Sequence, residues 1–347
     1  MERFAAGRAA GGGGDGVMRE HTVTLGSLLL DGGERLTSVA QHVTIYGSPR
    51  SDGSNVILVE HALTGSGRAL EWWPGIVGEN ALFDLSRWCV IGINALGGCY
   101  GSSGPGSPAA DGEPYGARFP RVTVADIVRA EIAALSALGI ERVDTVIGGS
   151  LGGMRALQWA LAAPGRLRAA IVVAAHDHHS AQGIALNALQ REAIAVDPAA
   201  GLRLARKIAV LSYKSAELLR LRHERRRDRF GKPCFDVEGY LDHQADVFTA
   251  RMAPASYVAL THAMDAFDVR DTRMLSEAPE VIFIGITSDW LFLPQEVRAA
   301  SRRLALRGAR TQYLQLQSIH GHDAFLADSE RLRQLLQPYA GRVFCYD

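Results

Sequence analysis

The chain has 347 residues, enough to bury a large core and long for a single domain without an insertion. Its 37 basic residues balance its 37 acidic ones, which removes any global electrostatic case for a nucleic acid or an anionic membrane as partner. No apolar run approaches the roughly 18 residues of a membrane span, and Cys89, Cys99, Cys234 and Cys345 show neither metal-ligand spacing nor a disulfide framework, as expected for a reducing, cytoplasmic compartment.

Residues 1–17 are Gly/Ala-rich without an apolar core and read as a disordered tail, not a signal peptide; Met18 could serve as a start. Thr22 to Tyr46 alternates like an antiparallel pair, and Asn55 to Val59 and Trp88 to Ile93 read as buried strands. Val124 to Leu138 has apolar residues at helical spacing and ends at Gly139, a C-cap position. A strand over Val143–Ile147 is followed by a helical pattern from Met154 to Leu161, and Ala169 to Ala174 is the next strand. From about His176 to Ala278 no strand run occurs; the stretch is helical in pattern and broken at Pro198, Pro233 and Pro254. Strand character resumes at Val281–Ile286 and again at Gln312–Leu316. Strands and helices alternating on both sides of a helical insert predict an α/β fold, a doubly wound, mostly parallel sheet with a lid over 176–278 and a body formed by 18–175 and 279–347.

The segment Gly148-Gly149-Ser150-Leu151-Gly152, directly after a β-branched run, has the form of a nucleophile elbow. Glycines on either side let strand and helix approach, and Ser150 at the tip stands at a helix N-terminus that favours developing negative charge. A serine hydroxyl needs an imidazole to take its proton and a carboxylate to fix that imidazole's tautomer. Asp289 follows the strand ending at Ile286, where polar residues enter the crevice of a parallel sheet, and the segment from Ser318 to Asp323 offers His320 and His322 as the base. The order Ser, Asp, His is that of α/β hydrolases.

The segments His61–Gly65, Asn94–Gly98 with Gly101–Pro105, Phe119-Pro120, Gly148–Met154, Asp197-Pro198, Gly201–Arg206, Val237–Leu241 and Gly321–Leu326 resemble, in order and across roughly residues 25 to 335, the homoserine O-acyltransferase family of α/β-hydrolase enzymes. The resemblance implies acyl transfer from acyl-CoA to the side-chain hydroxyl of L-homoserine, a step of methionine biosynthesis, with acetyl-CoA as donor and no cofactor beyond this co-substrate. It implies Ser150 as nucleophile, Asp289 as orienting acid and His322 rather than His320 as base. It also implies an oxyanion hole from the backbone N–H groups of Leu63 and Leu151, Arg206 for the substrate carboxylate and Asp323 for its ammonium. Asp323 can equally cap the helix predicted from Ala324, and Arg206 shares a helix with Arg203 and Lys207, where a solvated charge is the ordinary reading.

The chain departs from the family at three places. The connection between Pro198 and Gly201 is short, Arg251–Tyr257 lacks an acid and an amide, and Ser66 and Gly67 stand where the family carries Asp and His. These changes leave succinyl-CoA as donor, serine as acceptor, or water as acceptor in an esterase or thioesterase as alternatives. A non-catalytic scaffold would have no need of all three triad members. In His176-Asp-His-His179, adjacent residues converge poorly on one metal ion and read as crevice lining, so no metal site is assigned. The arginines of 222–229 read as a solvated lid helix, with CoA phosphates as the functional alternative. Apolar lid helices are compatible with a homodimer.

Overall fold

The computed structural model describes residues 18–228, 233–272 and 279–344. The predicted tail and part of the 222–229 arginine run lie outside the described residues. Eight strands form the main sheet: β1 (Met18–Thr24), β2 (Ala40–Tyr46), β3 (Val56–Glu60), β4 (Cys89–Ile93), β5 (Val143–Gly149), β6 (Leu167–Val173), β7 (Glu280–Ile286) and β8 (Thr311–Leu316). Their spatial order is β1-β2-β4-β3-β5-β6-β7-β8; β2 runs antiparallel to both its neighbours and the other pairings are parallel. This is the α/β-hydrolase architecture expected from the alternating pattern.

Parallel strands bury both faces and so need apolar residues at every position. Along β3, Val56 and Leu58 enter one core while Ile57 and Val59 enter the other; along β7, Val281 and Phe283 oppose Ile282 and Ile284 in the same way. Helices α1 (Val124–Ala137), α2 (Leu151–Ala162) and α8 (Pro294–Leu306) contribute to the first core, and α9 (Ser329–Phe344) contributes Leu332 and Leu336 to the second. Thr123 caps α1 through a reciprocal pair of bonds with Asp126, and Gly139 takes φ +75° just past its end.

Between β6 and β7 the chain forms α3 (Ala181–Val196), α4 (Pro198–Tyr213), α5 (Ala216–Arg222), α6 (Asp236–Thr249) and α7 (Pro254–Asp265). Pro198 and Pro254, read from sequence as breaks, are the first residues of α4 and α7, where a missing N–H costs nothing. Asp197 caps α4 by accepting from Ala199 and Ala200 N–H, each at 2.9 Å. The short turn brings α4 so close to α3 that a Cβ on Gly201 would lie 2.0 Å from the Ala193 carbonyl oxygen. No described helix is long and apolar enough to cross a membrane.

At the carboxyl edge of the sheet, the connection from β3 runs to β4 on one side while that from β5 runs to β6 on the other. A crevice opens where such connections diverge. Glu60 pairs in register with Gly148, so the loop after β3 and the turn after β5 leave the sheet side by side.

Candidate active site

The turn after β5 is built for close approach. Ser150 adopts φ +59° and ψ −124°, a strained conformation for a residue with a Cβ. A Cβ on Gly148 would lie 2.4 Å from the Gly152 carbonyl oxygen, and one on Gly152 would lie 2.1 Å from that of Glu60, so these two positions accept only glycine. The Ser150 N–H donates to the Val173 carbonyl at 3.0 Å, and helix α2 begins at the next residue rather than at Met154 as the pattern alone predicts. The Ser150 side chain makes no capping bond, so its hydroxyl is not consumed by the helix it starts.

Asp289 and His322 come together from the ends of β7 and β8. Asp289 Oδ1 accepts from the Leu291 and Phe292 N–H groups at 2.9 and 3.0 Å, and Oδ2 accepts from His322 Nδ1 at 2.7 Å. A carboxylate so held can only accept, which places the imidazole proton on Nδ1 and leaves the Nε2 lone pair available. His322 Nε2 is buried with no hydrogen-bond partner among the described residues. Phe292 stacks on the ring at 5.2 Å, Tyr213 lies 5.6 Å away and Phe325 meets its edge at 5.8 Å. Burial opposes the imidazolium, but the charge and hydrogen bond of Asp289, with Asp323 beyond, hold the His322 pKa above its ordinary value. His320, the competing base, faces Asp328 at 3.7 Å, whereas the Asp289 carboxylate is taken by His322.

Leu63 and Leu151 are both buried, the first in the loop after β3 and the second as the first residue of α2, where N–H groups have no intrahelical partner. Gly67 stands in this loop because a Cβ there would meet the Gly92 carbonyl oxygen at 2.8 Å; its N–H donates to Asn94 Oδ1 at 2.7 Å. The departure at this position is therefore a packing requirement.

Arg206 is set apart from its neighbours on α4. Arg203 pairs with Asp246 and Lys207 with Asp242, whereas Arg206 lies over Phe248 at 4.8 Å and over Tyr213 at 6.0 Å. Its Nε and Nη1 are buried without a hydrogen-bond partner among the described residues, a costly condition that an anionic ligand relieves. Tyr213, seven residues on and on the same helical face, joins Arg206 to the ring of His322. Periodicity could have singled out Tyr213. Asp323 heads the short helix Ala324–Ala327 but makes no side-chain cap there; its Oδ2 accepts from Lys214 Nζ at 2.7 Å. Capping is thus not its role, and Lys214, 109 residues away in the chain, carried no signal in the sequence.

His176, Asp177 and His178 bring one ligand-type atom each within 4.8 Å of one another. Asp177, however, accepts two bonds of 2.7 Å from Arg303, which already balances its charge. Burial lowers the pKa of His176 to about 3 and of His179 to about 4, and both rings pack on Phe292, at 5.2 and 5.6 Å. These imidazoles back the phenyl ring that stacks on His322.

A model of the α/β hydrolase fold family matches residues 55–315. A homoserine O-acetyltransferase of Geobacter sulfurreducens is 37% identical over 365 residues, covering 94% of this chain and 98% of the relative. The crystal structure of a homoserine O-acetyltransferase from Bacillus anthracis superimposes with a TM-score of 0.83 at 20% identity, covering 95% of this chain and 98% of that one. Esterase E22 superimposes with a TM-score of 0.82 at 22% identity, covering 93% and 100%, which shows that the same fold also carries esterases. With that level of identity along nearly the whole length of both proteins, the chain belongs to the homoserine O-acetyltransferase family of α/β hydrolases.

Proposed function

We propose that this protein transfers an acetyl group from acetyl-CoA to the side-chain hydroxyl of L-homoserine, through an ester on Ser150. His322 Nε2 takes the Ser150 proton as the hydroxyl attacks the thioester carbonyl, and the N–H groups of Leu63 and Leu151 receive the oxyanion. Collapse of the tetrahedral intermediate expels CoA, protonated by His322. The homoserine hydroxyl then attacks the acyl-enzyme with His322 again as base, which restores Ser150 and predicts ping-pong kinetics. Arg206 holds the substrate carboxylate, and Asp323, already engaged by Lys214 through Oδ2, offers Oδ1 to its ammonium. The helices between β6 and β7 act as a lid that keeps water from the ester. The reaction is assigned to the cytoplasm, with acyl-CoA as co-substrate.

The observation that carries the amino-acid acceptor is the buried edge of Arg206, Nε and Nη1 having no partner among the described residues, linked through Tyr213 to the imidazole of His322. Thiol release from acetyl-CoA and succinyl-CoA, each with L-homoserine, L-serine or no acceptor, tests the reading. We expect release with acetyl-CoA that requires homoserine and is abolished in Ser150→Ala. Release without an acceptor would make water the acceptor and the protein an esterase or thioesterase; a preference for succinyl-CoA or serine would correct the donor or acceptor.

A further inference from the structure

The two proposed oxyanion donors lie on different elements: Leu63 on the loop leaving β3 and Leu151 at the start of α2. Their separation is set by whatever holds that loop against that helix. Arg155, one turn beyond Leu151 on the same helical face, is fully buried in the seam between them. Its Nη1 donates to the His61 carbonyl at 3.3 Å and its Nη2 to the Ile93 carbonyl at 3.0 Å, at the ends of β3 and β4. Nε donates to Glu131 on α1 at 2.9 Å, and Nη2 also ion-pairs with Glu60. The loop is further fixed by His61, whose Nδ1 donates to the Ala62 carbonyl at 2.8 Å while Nε2 accepts from Ala95 N–H at 3.0 Å.

A buried guanidinium is an expensive way to gain stability, because hydrophobic residues of similar volume commonly do as well. What an apolar side chain cannot supply is the pair of bonds to two main-chain carbonyls. The carboxyl groups support this placement. Burial holds the Glu60 pKa well above the ordinary carboxylate range against the opposing pull of Arg155, and the charge of Glu131 raises it further. Burial and the neighbouring Arg155 charge lower the His61 pKa to about 3, which preserves its acceptor for Ala95 wherever the enzyme works.

We propose that Arg155 is the positioning residue that sets the spacing of the Leu63 and Leu151 oxyanion donors, by holding the loop after β3 and helix α2 as one body. The inference rests on the reading of Ser150 as the acylated residue. In Arg155→Lys the charge stays but the fork that spans both carbonyls is lost. In Arg155→Met with Glu131→Gln the guanidinium leaves together with the carboxylate it is hydrogen-bonded to, and the introduced amide keeps an acceptor for Trp159 Nε1, which donates to Glu131 at 2.9 Å.

The test is the rate of acylation by p-nitrophenyl acetate per active site, counted with a fluorophosphonate, alongside the affinity of a small alkylboronic acid that forms a tetrahedral adduct on serine. We expect the rate constant to fall about 10- to 100-fold with KM within about twofold, and the boronate affinity to weaken by the same factor as kcat/KM. A folded variant of either kind whose rate and boronate affinity stay within about twofold of the parent overturns the proposal. So does a loss confined to KM or to the number of titratable sites, since a purely structural role predicts that pattern. If the lysine variant does not fold, the double variant carries the measurement. A parent protein that the fluorophosphonate does not label would instead overturn the assignment of Ser150.

Discussion

At the scale of single residues, the site is governed by which polar atoms have partners and which do not. Asp289 spends one oxygen on two main-chain N–H groups and the other on His322, so the imidazole is held in one tautomer with its remaining nitrogen unpaired. Asp289 raises the His322 pKa against the effect of burial, and two pH effects of opposite sign follow. The base must be neutral, so kcat/KM should rise with pH through a value above the ordinary 6.5. The stability contributed by the charged pair has the reverse dependence. It is fully present below the unfolded imidazole pKa and is lost as pH rises through the folded value. Asp289→Asn should move the kinetic pKa downward and lower kcat by about 10⁴-fold, because an amide favours the wrong tautomer. A pH–rate profile of both proteins, set beside urea melts at matched pH, checks both signs.

At the scale of elements, the turn between β5 and α2 stores its strain in one serine and relieves its crowding with glycine. The glycines differ in what they do. Gly148 and Gly152 are required by backbone atoms that cannot retreat, whereas a Cβ on Gly149 would meet the ring of Phe325 at 2.6 Å. Gly152→Ala should therefore cost at least about 3 kcal/mol, the upper end of ordinary overpacking, because the Glu60 carbonyl would have to move with the whole of β3. Urea unfolding measures this directly. A cost below about 1 kcal/mol would show that strand and helix are less tightly docked than these approaches require.

At the scale of the whole molecule, Arg251 ties the insertion to the loop carrying Leu63. Arg251, between α6 and α7, donates from Nη1 to the Thr64 carbonyl at 2.5 Å and to the Tyr100 hydroxyl at 2.9 Å, while its guanidinium lies 5.5 Å from the Phe248 ring that Arg206 also contacts. The insertion and the loop after β3 are thus joined next to Arg206. Arg251→Ala should loosen this seam and admit water, raising acceptor-independent CoA release a few-fold relative to transfer while thermal stability changes little. Parallel assays with and without homoserine read the ratio. An unchanged ratio would place the barrier to water elsewhere in the insertion.

Much of this was legible in the order of residues alone. The uninterrupted apolar runs of strand length read as strands buried on both faces, the Gly-rich turn after one of them singled out Ser150, and the positions past later strands supplied Asp289 as acid and His320 or His322 as base, because these signals are local and periodic; the choice of His322 came from the family resemblance. Other features had no such signature. That Arg206 keeps Nε and Nη1 buried without a partner among the described residues while Arg203 and Lys207 on the same helix are neutralised depends on where α6 and Phe248 lie. The engagement of Asp323 by Lys214 and the gathering of Glu60, Glu131 and Arg155 join residues far apart in sequence. Periodicity tells which face of an element is buried but not what it is buried against. Whether a charge is solvated, paired or held in reserve for a substrate is decided by the packing of distant elements, and only the tertiary structure determines that.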